Sequence, residues 1–198
     1  MVRKLLSIII LVALMQGGIS CGKNPQGSMG TAGGWKSAVV EGDGVEVEGK
    51  SGLSRDEELQ MVREHNRVRA DVGVGPVAWS PALARHARQW ADHLAAGDCQ
   101  MRHRPRTGEW AGSYGENLFT GTAGYYGVVD AVRAWESEKR IYHGEPISSA
   151  NFRQVGHYTQ MVWRNTGEFG CAKVQCQGRI IIVCNYDPPG NVLGQNPY

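Results

Sequence analysis

The residues best equipped for chemistry in this 198-residue chain are its six histidines, its five cysteines and the carboxylates around them. His157 sits in the aromatic, β-prone run Gly156-His157-Tyr158-Thr159-Gln160-Met161-Val162-Trp163-Arg164-Asn165-Thr166. Cys171, Cys176 and Cys184 follow, the last opening Cys184-Asn185-Tyr186-Asp187-Pro188-Pro189-Gly190-Asn191. An imidazole can move protons or ligate a metal, and thiols either cross-link or bind metal according to compartment and spacing. The chain contains neither His-Glu-x-x-His nor Gly-x-Ser-x-Gly, the patterns of zinc peptidases and serine hydrolases. The four cysteines from Cys99 onward lack a Cys-x-x-Cys knuckle, which argues against a zinc cluster.

Compartment comes from the N-terminus. Arg3-Lys4 precede an apolar run from Leu5 to Met15, and small residues follow before Cys21. A charged start, a short apolar stretch and small residues read as a secretory signal over residues 1–21. The run is shorter than the ~20 residues of a membrane span. Cys21 has two readings, a lipidated first residue of a mature bacterial lipoprotein or a spare thiol near an ordinary cleavage site. Parity favours lipidation, because Cys21 stands apart from the other four cysteines and a free exported thiol is a liability. Such an anchor tethers a protein to a membrane without a spanning helix. Residues 22–52 are rich in Gly with few large apolar side chains, the composition of a flexible linker. Net charge is +2 with both signs dispersed, unlike a nucleic-acid binder with its basic face.

The folded domain is expected over residues 53–198. Ser54 with Glu57 forms a capping box, starting a helix that runs to about Asp71. Ser80-Pro81 supplies the next helix start. Leu83, Ala87, Trp90 and Leu94 mark its apolar stripe, and Gly97 its end. A third helix spans about Tyr126 to Tyr142, with Val128, Val132, Trp135 and Tyr142 inward. His157 to Arg164, Cys171 to Gln177 and Arg179 to Asp187 read as strands. Helices followed by an antiparallel sheet define an α+β class.

That hairpin fixes the cysteines. Gln177-Gly178 as a two-residue turn pairs Cys176 with Arg179 and sets Cys171 opposite Cys184 on a non-hydrogen-bonded rung, where side chains lie closest. Cys176 points to the other face, leaving Cys99 as its partner. Cys99–Cys176 closes a loop of about 77 residues and contributes on the order of 4 kcal/mol by chain entropy.

Five motifs, in order along one domain, resemble those of the CAP superfamily of cysteine-rich secretory, antigen-5 and plant pathogenesis-related class 1 proteins. They are His65-Asn66-Arg67-Val68-Arg69, Tyr114-Gly115-Glu116-Asn117-Leu118, Gly156 to Thr166, Ile182 to Asn191, and Gly194-Gln195-Asn196-Pro197-Tyr198. The resemblance implies a three-layer α–β–α sandwich with a central antiparallel sheet. It also implies a cleft tetrad of His103, Glu116, Glu138 and His157, able to take zinc or magnesium. Helical geometry does not choose between Glu136 and Glu138, and the family pattern alone selects Glu138. His65, Asn66, Arg69, Asn117 and Gln160 are expected to support the backbone, and His86, His93 and His143 to be structural. Arg104 replaces the family's usual Ser and is expected to set a cation beside the cleft.

The function implied is a non-enzymatic, extracytoplasmic binding module for a lipid or sterol-like ligand, working as a monomer. Residues 121–129, with Tyr125 and Tyr126, are candidates either to border a lipid groove or to pack in the core. Two alternatives carry other predictions. A metal-dependent hydrolase would use Glu116 or Glu138 as general base, and a surface interaction protein would leave the cleft incidental.

Overall fold

The computed structural model describes residues 51–198. The export signal, Cys21 and most of the linker lie outside the described residues. Ser51 and Gly52, at the linker's end, pack on the sheet. Ser51 is 4% exposed and its carbonyl accepts from the Lys173 amide at 3.0 Å. Gly52 takes φ +73° with its backbone against the Lys173 carbonyl, which leaves no room for a Cβ.

Helix α1, Arg55–Ala70, opens with the Ser54–Glu57 capping box. Helix α2, Pro81–Ala96, has Pro at its start and buries Leu83, Ala87, Trp90 and Leu94. Helix α3, Val128–Glu136, is shorter than its apolar pattern suggests, because the chain tightens into a 3₁₀ turn at Ser137–Arg140. The four strands are β1 (Ala78–Trp79), β2 (Gly115–Thr122), β3 (Glu168–Cys176) and β4 (Arg179–Asp187). They lie in the order β1-β3-β4-β2. Short β1 runs parallel to β3, and the other pairings are antiparallel.

The strand expected from His157 to Arg164 is instead helix α4, Phe152–Met161. Tyr158, Thr159, Val162 and Trp163 have the composition of a strand, but packing prevails. Val155, Tyr158, Met161 and Val162 recur at helical spacing and all are buried in one core. The Thr159 hydroxyl returns to the Val155 carbonyl at 2.9 Å, a bond only a helical turn permits.

Strand alternation sends β4 side chains into two cores. Ile181 and Val183 join Leu118, Ala172 and Val174 under α2. Ile180, Ile182, Cys184 and Tyr186 face the opposite layer, built from α1, α3 and α4. The result is an α–β–α sandwich. Gln177 (φ 49°) and Gly178 (φ 73°) make the hairpin turn, and the register sets Cys171 opposite Cys184 and Cys176 opposite Arg179. Disulfides join Cys171 to Cys184, with Cα atoms 4.0 Å apart, and Cys99 to Cys176, 6.0 Å apart. Among the described residues no helix is long and apolar enough to cross a membrane.

Candidate functional site

Edge strand β2 organises the site, although its local pattern gives no strand expectation. Its consecutive residues Glu116 and Asn117 point to opposite faces. Glu116 turns toward the loop after α2, where its Oε1 accepts from His103 Nδ1 at 2.7 Å and from the Arg104 amide at 3.0 Å. Asn117 turns toward α4, where its Nδ2 donates to the His157 carbonyl at 3.0 Å and to the Tyr186 hydroxyl at 3.3 Å. One strand thereby braces both histidine-bearing segments.

Glu138 stands on the 3₁₀ turn. Its Oε1 accepts from His157 Nδ1 at 2.6 Å, and its Oε2 accepts from the amides of His157 and Tyr158 at 2.9 and 3.0 Å. Glu136 faces away, in a two-bond pairing with the Arg67 guanidinium at 2.6 and 3.1 Å. The switch from α to 3₁₀ pitch separates the two glutamates, a change that regular helical spacing cannot encode.

His103, Glu116 and His157 line one cavity of about 540 Å³, with Asn117, Phe152 and Arg153 also on its wall. Glu138 lies behind His157 rather than on the wall. An ionised carboxylate only accepts hydrogen bonds, so each glutamate fixes the proton of its histidine on Nδ1. Nε2 is left as the unengaged ring nitrogen of each histidine. Carboxylate-backed imidazoles of this kind are the arrangement seen behind metal-ligating histidines. Among the described residues no three His, Cys, Asp or Glu side chains gather closely enough to hold a metal. What the cavity wall offers is two imidazoles, each backed by a carboxylate.

Phe152 and Arg153 were missed by the strand reading. On a helix Arg153 precedes His157 by four residues and shares its face, so recognising α4 as helical would have found it. Tyr125 and Tyr126 lie elsewhere, on a separate groove with Gly52, Lys173 and Ile180. Tyr125 is 78% exposed, while Val128 packs in the core. Arg104 stands on the wall next to His103 and Glu116, with its charged group turned to backbone acceptors. Its guanidinium reaches the carbonyls of Trp110 and His86, each at 3.0 Å, and lies 5.8 Å over the Trp110 ring. It holds the His103 loop to α2.

The supporting residues are tied tightly. His65 is fully buried between the Met61 carbonyl (2.8 Å) and the Tyr186 hydroxyl (2.9 Å), and burial lowers its pKa to about 4. Asn66 clamps the amide and carbonyl of Val77 at 2.8 and 3.1 Å. Arg69 is buried without a carboxylate and donates to the carbonyls of Gly75, Met161, Trp163 and Thr166. Gln160 accepts from the Gly190 amide at 2.9 Å.

A three-layer sandwich carrying paired His–Glu couples at one edge defines a class, and comparison with known families names it. The profile of the cysteine-rich secretory protein family, CAP, matches residues 62–186, and the chain belongs to this family. Pathogenesis-related protein 1C of Nicotiana tabacum is 46% identical over 135 residues, 68% of this chain and 76% of that protein. Pathogenesis-related protein PRMS of Zea mays is 46% identical over 136 residues, 67% and 77% of the two chains. Among solved structures, NaASP2 with Zn2+ has a TM-score of 0.66 at 24% identity, covering 74% of this chain and 87% of that one. The hookworm platelet inhibitor has a TM-score of 0.61 at 21% identity, covering 74% and 76%. These two likenesses show the shared fold. Two disulfides in the domain and membership in a secretory family set the protein in an oxidising, extracellular environment.

Proposed function

We propose that this domain is a non-enzymatic, extracytoplasmic binding module whose cleft presents His103 and His157 to a divalent cation and to a lipid-like ligand. The observation that carries the reading is the pairing of each Nδ1 with a buried or half-buried glutamate, at 2.7 and 2.6 Å, on histidines that line one cavity. Imidazole nitrogens favour zinc over magnesium, which prefers oxygen ligands. NaASP2, of the same fold, was solved with Zn2+. When bound, such a cation supplies a Lewis-acid point of attachment for a ligand's oxygen. His103 and His157 hold it, and Glu116 and Glu138 keep their rings oriented.

Support for an amphiphilic ligand comes from Phe152, 44% exposed, and Arg153 on the same wall. An apolar tail would lie on the ring and an anionic head would meet the guanidinium. The hydrolase reading is weakened because Glu138 has both oxygens engaged by His157 and the α4 amides, and the open oxygen of Glu116 is buried away from the His157 side of the cleft. An N-terminal tether through Cys21 would keep the module at a membrane of a bacterial cell.

Zinc titration by calorimetry tests the proposal. The wild-type domain should bind one equivalent, and His103→Ala/His157→Ala should bind none. Equal binding by the two proteins rejects the ligand assignment.

A further inference from the structure

A second chamber of about 460 Å³ adjoins the cleft and shares His103, Glu116, Phe152 and Asn191 with it. Three buried side-chain atoms have no hydrogen-bond partner in the described domain, His86 Nε2, Glu116 Oε2 and Asn185 Oδ1. All three belong to side chains on the wall of this one chamber. The coincidence has a structural origin. Glu116 and Asn185 are cross-strand partners in the β2–β4 register, so their side chains share the sheet face that α2 covers, and α2 contributes His86. The Glu116 side chain is 8% exposed and Asn185 2%. Leaving such groups unpaired is costly, and native proteins keep them where a ligand or water completes the bonds.

The chemistry of the wall selects the occupant. Glu116 Oε2, a carboxylate oxygen, and Asn185 Oδ1, an amide oxygen, only accept, and the Nδ2 of the same amide donates to the Gly115 carbonyl at 3.2 Å. The occupant must therefore bring hydrogen-bond donors. Burial and the nearby Arg104 charge lower the pKa of His86, so its imidazole is neutral and can accept or donate by choice of tautomer. Arg104 and Arg106 on the wall oppose a cation, and Glu116 opposes an anion. Hydroxyl groups, neutral and able both to donate and to accept, satisfy all three atoms. The rings of Tyr114 and Phe152 complete the wall, and the volume falls in the range of small-molecule pockets, roughly 300–1,000 Å³.

We infer that this chamber is a binding site for a neutral polyhydroxylated small molecule of the mono- or disaccharide class, recognised by Glu116, Asn185 and His86. The site shares His103 and Glu116 with the cleft, but its three open atoms do not require a bound cation. Gly112 gives a way to close it. A Cβ there would lie 3.0 Å from Arg104 Cδ and 3.6 Å from His86 Nε2, and no positive φ is required, so Gly112→Val fills the chamber from the side of Arg104 and His86, on the wall away from His157.

The test uses chelator-treated protein, so that failure of the zinc reading leaves it unaffected. Glucose, N-acetylglucosamine and trehalose are titrated while nitrogen NMR follows the His86 ring and the Asn185 side-chain amide. Glucosamine and glucuronate serve as charged counterparts. At least one neutral sugar should give a saturable shift at both groups. Its affinity should fall about tenfold or more in Gly112→Val and in His86→Ala, and persist in His157→Ala. No saturable shift with any neutral sugar overturns the inference. So does tighter binding of glucosamine or glucuronate, or binding that Gly112→Val leaves intact.

Discussion

The two halves of the cleft are built from the same pair of side chains and held in different ways. His157 rides on α4, its side chain 33% exposed, and Glu138 accepts from its ring and from two backbone amides. His103 rides on a loop, its side chain 60% exposed, and Glu116 accepts from its ring and one backbone amide. Behind α4, the Arg69 guanidinium binds the Met161 and Trp163 carbonyls at 2.9 Å. Behind the loop stands the Cys99–Cys176 bridge. One half is fixed by helix packing and a buried polar network, the other by a covalent staple. A preformed histidine thus faces one whose place depends on its loop.

Breaking the staple should produce the largest effect. Cys99→Ala/Cys176→Ala removes a cross-link spanning 77 residues and should lower unfolding free energy by about 4 kcal/mol. Hydrogen exchange should rise in the 99–114 loop while α4 stays protected. Equal loosening of both would erase the contrast between the halves.

Acid should act on the packed half. The His65 pKa is lowered to about 4 from 6.5 by burial, so the unfolded chain takes up this proton more readily than the folded one. Stability from His65 is complete above pH 6.5 and falls as pH drops toward 4, by about 3 kcal/mol in all. Urea denaturation of wild type and His65→Gln across that window should show a steeper slope for wild type. Parallel slopes would mean that His65 is not the responsible group.

Smaller still is the effect of the carboxylates. Glu138→Gln and Glu116→Gln should each weaken zinc binding by about 10–100-fold. Glu138→Gln should also disturb the α4 backbone near His157 in amide NMR spectra, because it alone accepts from two amides there. Indistinguishable spectra for the two variants would remove the proposed asymmetry.

The sequence was most legible where a local rule acts alone. Ser54 with Glu57, Ser80-Pro81 and Gln177-Gly178 are short-range signals, and they correspond to the starts of α1 and α2 and to the hairpin register. Legibility failed where tertiary packing overrode local preference. The β-prone residues around His157 fold as a helix because their apolar members meet a core at helical spacing. Gly115–Thr122 mixes Gly, Glu, Asn and Thr without clean alternation, and becomes a strand only by pairing along β4. Glu138 is distinguished from Glu136 by a 3₁₀ turn that no residue in Ser137–Arg140 announces. The chamber beside the cleft is further from the sequence again, since it needs a residue of α2 to meet a cross-strand pair between β2 and β4.

The central claim is that His103 and His157 act on one cation together through Nε2. The most direct measurement is nitrogen NMR of the histidine side chains during zinc titration. The Nε2 signals of His103 and His157 should move in concert and finish at one equivalent, while His65 and His93 stay unchanged. Independent movement of the two, or completion at different zinc ratios, would contradict the account.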